Sequence, residues 1–216
     1  MTNRYSQIKW VLFRIARTLK GAVGSGRPLD LAALPRFADG KILIHLGCGK
    51  IDSPGFINVD ARPAPHVHVA ADVTDLSMFP ADFADMVYAC HLLEHIPINR
   101  LREVLWEWRR VVRPGGMLRL SVPDFDKLID IYARCGGDIE VIARRLMGGQ
   151  HHKYNFHCAV FNRRYLESLL TEAGFVRVEQ WDPATAPYHG FRDHASRTVK
   201  KDGQAYPVSL NLQAIK

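Results

Sequence analysis

Residues 41–60 read KILIHLGCGKIDSPGFINVD. The first six, Lys41 to Leu46, form an apolar run too short for a helix and almost without polar alternation, as expected of a strand buried on both faces of a sheet. The run ends in Gly47-Cys48-Gly49, where glycine lets a backbone turn sharply and approach a ligand closely. Gly55 to Asp60 (GFINVD) is a second strand, and it ends on an acid. A glycine turn after one parallel strand and an acid at the tip of the next open a ligand crevice at the carboxyl edge of an α/β sheet. The dinucleotide fingerprint G-x-G-x-x-G is incomplete, because its third glycine position holds Asp52. A nicotinamide oxidoreductase is disfavoured on that ground.

Outward from this stretch, strands and helices alternate, which predicts a parallel α/β sheet. His66 to Asp72 (HVHVAAD) is a third strand that again ends on an acid, and Asp85 to His91 (DMVYACH) is a fourth. Between Asn99 and Arg113, Leu101, Val104, Leu105, Trp108, Val111 and Val112 lie on one helical face. Pro114-Gly115-Gly116 stops that helix, and Met117 to Val122 is a fifth strand closing on Pro123-Asp124. Helical patterns at Asp124 to Arg134 and Asp138 to Met147 lead into a polar, histidine-rich loop or lid from Gly148 to Cys158. A helix from Arg163 to Ala173 follows, ended by Gly174. Strands at Phe175 to Trp181 and Tyr206 to Ile215 are expected to pair as a long antiparallel hairpin.

The whole chain has 216 residues, 47% of them hydrophobic and 24% charged, which fits one globular domain with a short appendage and excludes disordered or fibrous classes. Cys48, Cys90, Cys135 and Cys158 are widely spaced, as expected of free thiols rather than a disulfide frame or zinc finger. The formal charge of +7 is concentrated at one end: Arg4, Lys9, Arg14, Arg17, Lys20, Arg27 and Arg36 face the single acid Asp30. The expected division is therefore a basic amphipathic N-terminal helix and linker, residues 1–36, and a nearly neutral domain, residues 37–216. Ile8, Val11, Leu12, Ile15 and Leu19 form one stripe of that helix, opposite Lys9, Arg14, Arg17 and Lys20 with Trp10 and Phe13. The stripe suits packing on the domain, and the basic aromatic face suits weak peripheral contact with an anionic membrane surface. A neutral body and few exposed aromatics argue against a nucleic-acid partner.

Taken in order, LGCGK, GFINVDARP, VAADVTDL, DMVYACHLLEHI and RVVRPGGMLRLSVPDF resemble the successive motifs of the class I S-adenosylmethionine-dependent methyltransferases, over about residues 41 to 182. The resemblance implies a Rossmann-like, seven-stranded, mostly parallel sheet with helices on both faces and its last strand antiparallel. It also implies S-adenosyl-L-methionine as cofactor. Gly47, Cys48 and Gly49 would line the methionine part, Asp60 would hold the ribose, Asp72 with Val73 would flank the adenine, and His91 would sit beside the sulfonium. With PVSLNLQAIK at the C-terminus, the chain is similar to bacterial members associated with cell-surface polysaccharide gene clusters. That implies a cytoplasmic enzyme methylating a hydroxyl of a glycan or small molecule. A non-catalytic cofactor-binding module and an RNA or protein methyltransferase are the alternatives. One departure stands out: His45 occupies the position, two before the first glycine, where many members carry an acid.

His91-Leu92-Leu93-Glu94-His95 also matches H-x-x-E-H, a zinc signature that requires a helix. Here it follows a strand and precedes Ile96-Pro97, so no metal is expected from that motif. A hydroxyl acceptor benefits from a general base, and histidine is the side chain most often neutral and basic near pH 7. His157 is the first candidate, and Asp124, at the end of the fifth strand, is the second.

Overall fold

The structure, a computed structural model, describes residues 29–216. The expected N-terminal helix, and with it nearly all of the segment 1–36, lies outside the described residues. Among the described residues no helix is long and apolar enough to cross a membrane.

Short, fully buried apolar runs build the centre of a seven-stranded sheet. β1 (Leu43–Leu46), β2 (Phe56–Asp60), β3 (Val69–Ala70), β4 (Ala84–Cys90) and β5 (Val112–Pro123) run parallel in the order β3-β2-β1-β4-β5. Beyond β5 lies β9 (Ser209–Ile215), then β6 (Arg177–Gln180), with β9 antiparallel to both neighbours. The fold is thus the expected one, a mostly parallel Rossmann-like sheet whose last strand runs against the rest. That strand sits inside the sheet rather than at its edge.

α1 (Leu101–Val111) packs its buried Leu101, Val104, Leu105 and Trp108 beneath β4 and β5 and against α4 (Arg163–Glu172). The register sends alternate residues to the opposite face. There Leu43, Phe56, Met86 and Tyr88 pack on Trp181 and Ala195, with Phe37, Tyr188 and Phe191 closing the cluster. No helix lies between β1 and β4; the segment after β6 covers that face instead. α2 (Phe125–Arg134) and α3 (Glu140–Met147) pack on a two-stranded ribbon, β7 (Thr198–Lys201) with β8 (Gln204–Pro207), through Leu128, Ile131, Ile142, Val199 and Val208.

Three elements differ from the sequence expectation. The third strand shrinks to Val69 and Ala70, because only these follow the tip of β2, pairing with Val59 and Asp60. The fifth strand begins at Val112: Ala84 pairs with Val112 and Met86 with Met117, so residues 113–116 bulge out opposite the single residue Asp85. The last strand divides at Val208. Pro207 ends the ribbon, the Val208 amide donates to the Arg197 carbonyl (3.1 Å), and the chain re-enters the main sheet at Ser209.

Candidate active site

The carboxyl ends of the parallel strands share one edge, and β1 lies between β2 and β4, where the strand order reverses. A ligand crevice forms at such a point. Gly47 and Gly49 both have positive φ, +62° and +59°, a conformation that favours glycine. A Cβ at Gly47 would come within 2.6 Å of the Leu92 side chain, whereas one at Gly49 would meet nothing within 4 Å. One glycine therefore packs against the turn after β4, and the other faces open space.

Asp60, at the tip of β2, accepts from the Gly49 N–H on Oδ2 (2.8 Å) and from the Arg62 N–H on Oδ1 (2.9 Å). A carboxylate offers about four lone-pair sites, so it can hold the turn and still accept from two hydroxyls. Asp72 accepts from the Thr74 N–H (2.9 Å), and the Val73 carbonyl is held by the Trp108 indole (2.8 Å). Cys48 is buried, and burial pushes its thiol up to about 12, so it lines the turn as a neutral group. These residues offer the acceptors and the open backbone that an adenosine with an amino-acid tail requires.

Across the crevice, β4 is followed by His91, a non-glycine residue at φ +49°. Such backbone strain persists where surrounding structure enforces it. Its Nε2 is 2.9 Å from Ser209 Oγ and its Nδ1 is 3.3 Å from Glu94 Oε1. The following residues, Leu93–His95, form a single 3-10 turn, not the helix that H-x-x-E-H would need. The loop 148–160 is tied to this turn, since the Cys158 and Ala159 amides both donate to the Glu94 carbonyl (2.7 and 3.2 Å). His157 is thereby brought beside Glu94 and His95, with its Nε2 3.9 Å from Glu94 Oε1. Burial lowers the His157 pKa, with the Glu94 charge opposing. Asp124 is placed differently: its carboxylate caps α2, accepting from the Asp126 N–H (3.2 Å), and lies 3.5 Å from Lys127 Nζ.

Residues 23–120, which contain the glycine turn, Asp60, Asp72 and His91, match the family described as "Methyltransferase domain". Over this span the chain carries a methyltransferase domain, similar to those of the S-adenosylmethionine-dependent methyltransferases. A methyltransferase from Archaeoglobus fulgidus described as SAM-dependent is 16% identical, with a TM-score of 0.51 over 96% of this chain and 94% of that one. The 1,6-didemethyltoxoflavin-N1-methyltransferase of Burkholderia thailandensis, solved with its substrate and S-adenosylhomocysteine, is also 16% identical, with a TM-score of 0.50 over 82% and 71%. At this identity the likeness is one of fold. No curated protein matches the chain in sequence.

In this methyltransferase His45 is turned away from solvent, 1% exposed, with its Nδ1 2.7 Å from Ser53 Oγ and its ring against Tyr88 and Phe191. Burial pushes its pKa down to about 4. A neutral buried imidazole thus stands two residues before the first glycine of the turn. Tyr88, beside it, donates its hydroxyl to Asp193, whose other oxygen lies 3.6 Å from His189 Nε2. Gly47, Cys48, Gly49, Asp60, Asp72, Val73 and His91 all lie at or just beyond the carboxyl ends of β1 to β4, and the sequence reading assigned no site role to Glu94 or His95. The H-x-x-E-H match was the available signal for them. It pointed to a helix, whereas the partner that completes the group, His157, comes from a distant loop.

Proposed function

We propose that the enzyme transfers a methyl group from S-adenosylmethionine to a hydroxyl of a glycan or small-molecule acceptor. The observation that carries the cofactor half is the meeting of the Gly49 amide and the Asp60 carboxylate at the switch point of the sheet. When bound, the cofactor supplies an electrophilic methyl group on a sulfonium. Gly47, Cys48 and Gly49 would line its methionine part, Asp60 would accept from the ribose hydroxyls, and Asp72 and Val73 would flank the adenine. His91, held through its Nε2 by Ser209, would flank the sulfonium side of the crevice.

The acceptor half rests on the loop 148–160 being bonded to the turn after β4, which brings His157, His95 and Glu94 to one place. We assign to that cluster the ionisation of the acceptor hydroxyl, and to Asp124 the holding of α2. A small pocket lined by Pro123, Phe125, Leu128, Leu146 and Val160 with the charged Arg145 adjoins His157; the acceptor would bind over its mouth rather than within it. A cytoplasmic setting, with residues 1–20 resting on an anionic membrane face, fits lipid-linked glycan acceptors.

The test is transfer of isotopically labelled methyl groups to a panel of hydroxyl-bearing sugars, lipid-linked sugars and phenols, with the product bond located by mass spectrometry. An O-methyl ether supports the proposal. Transfer only to nitrogen or carbon, or to RNA or protein, overturns it.

A further inference from the structure

Three imidazoles and one carboxylate converge after β4. Glu94 is 1% exposed, and neither of its carboxylate oxygens accepts a hydrogen bond. His157 Nδ1 lies 2.9 Å from the Arg145 carbonyl and His95 Nδ1 lies 3.0 Å from the Phe156 carbonyl. A carbonyl can only accept, so both rings carry their hydrogen on Nδ1 and present Nε2 as a lone pair. His91 is fixed the other way. The Ser209 hydroxyl donates to the His194 carbonyl (2.8 Å), so its oxygen accepts from His91 Nε2–H. In the neutral ring this leaves a bare Nδ1, 3.3 Å from Glu94 Oε1. Lone pairs facing a buried anion are unfavourable unless a proton or a metal cation lies between them, and the number of nitrogen donors around the one carboxylate points to the metal.

We infer that Glu94, His95 and His157, with His91 Nδ1 beside them, bind a divalent transition-metal ion of the zinc class. One ligand atom from each of Glu94, His95 and His157 lies within 4.8 Å of the others. Rotamer adjustment closes that spacing to the roughly 3.4 Å separating ligands held at about 2.1 Å on one tetrahedral ion. Nitrogen donors in the majority select a borderline ion over magnesium or calcium, which prefer oxygen. The surroundings match a built site. Each distal imidazole donates its other N–H to a main-chain carbonyl, which fixes ring orientation and raises the basicity of the ligating nitrogen. Gly148 has φ +79°, and a Cβ there would lie 3.0 Å from His157 Cδ2, so glycine at this position leaves room for the ring.

The metal site stands on its own geometry; its use in catalysis rests on the methyltransferase assignment. His157 also lines the acceptor pocket, which puts the cation at that pocket's wall. A hydroxyl bound there would ionise more readily: its O–H bond breaks, the electron pair stays on the metal-bound oxygen, and the proton passes to solvent. Leu92 touches the Gly47 position, so the metal turn and the cofactor turn are directly packed.

The test uses the full chain without an affinity tag, stripped with chelator and titrated with Co2+, whose visible bands report nitrogen and carboxylate ligation, and with Zn2+ by calorimetry. One ion per chain is expected, with affinity reduced at least 100-fold in Glu94→Gln and in His157→Asn and unchanged in His152→Ala, a loop histidine outside the cluster. Folding of each variant is checked by circular dichroism and by S-adenosylhomocysteine binding. Absence of stoichiometric binding, or binding that survives both ligand substitutions or is lost in His152→Ala, overturns the inference. Cofactor binding without metal binding would sink the metal site alone, and metal binding without cofactor binding would sink the methyltransferase assignment alone.

Discussion

The Gly49 main-chain N–H donates to the Asp60 carboxylate over 2.8 Å, so the acid that ends β2 holds the glycine turn that ends β1. Asp60 therefore carries two loads, and its removal is expected to register in two ways. Asp60→Ala should weaken S-adenosylhomocysteine binding by about 1.5–3 kcal/mol, the range for hydrogen bonds to a charged group, and should also lower the melting temperature of the ligand-free protein. Calorimetric titration and thermal melts check both. A loss of affinity with an unchanged melt would remove the turn-holding role.

Gly47 tests the packing of the same turn. Gly47→Ala places a side chain at φ +62°, at a cost of about 1–2 kcal/mol, and adds a contact of 2.6 Å to the Leu92 side chain. Leu92→Ala in the same chain is expected to recover the steric part and leave the backbone part. A double-mutant cycle by denaturant unfolding measures the coupling.

Much of this edge was legible in the sequence because β1, β2 and β4 are mostly buried on both faces and read as largely apolar runs. Glycine punctuation and terminal acids then fix where each strand stops. What was not legible depended on contacts distant in sequence. His157 lies far from His95 along the chain, and only the bonds from Cys158 and Ala159 to the Glu94 carbonyl join them. The run Tyr206 to Ile215 looked continuous because local pattern does not reveal that its first part pairs with β7 and its second with β5 and β6.

His45 gives a pH dependence with a defined sign. Its folded pKa is about 4, against about 6.5 in an unfolded chain. A depressed pKa contributes stability that is complete above pH 6.5 and is lost as the pH falls from there to about 4. The full loss is about 3 kcal/mol at 1.36 kcal/mol per unit. His45→Gln should flatten that part of a stability profile measured by denaturant melts; an identical slope in the variant would place the titrating group elsewhere.

His157 and Asp124 are expected to separate in kinetics. His157→Ala should lower turnover on the order of 10²–10⁴-fold with cofactor affinity intact. Asp124→Ala, which removes the cap of α2, should cost about 1 kcal/mol of stability and change turnover far less. Steady-state kinetics beside thermal melts distinguish them, and the reverse pattern would exchange their roles.

The most direct measurement is calorimetric titration of the full chain with S-adenosylhomocysteine and, in parallel, with NAD. One S-adenosylhomocysteine per chain is predicted, weakened by Asp60→Ala, with no binding of NAD. No heat with S-adenosylhomocysteine, or saturable binding of NAD in its place, would contradict the assignment of this strand edge to the methyl donor.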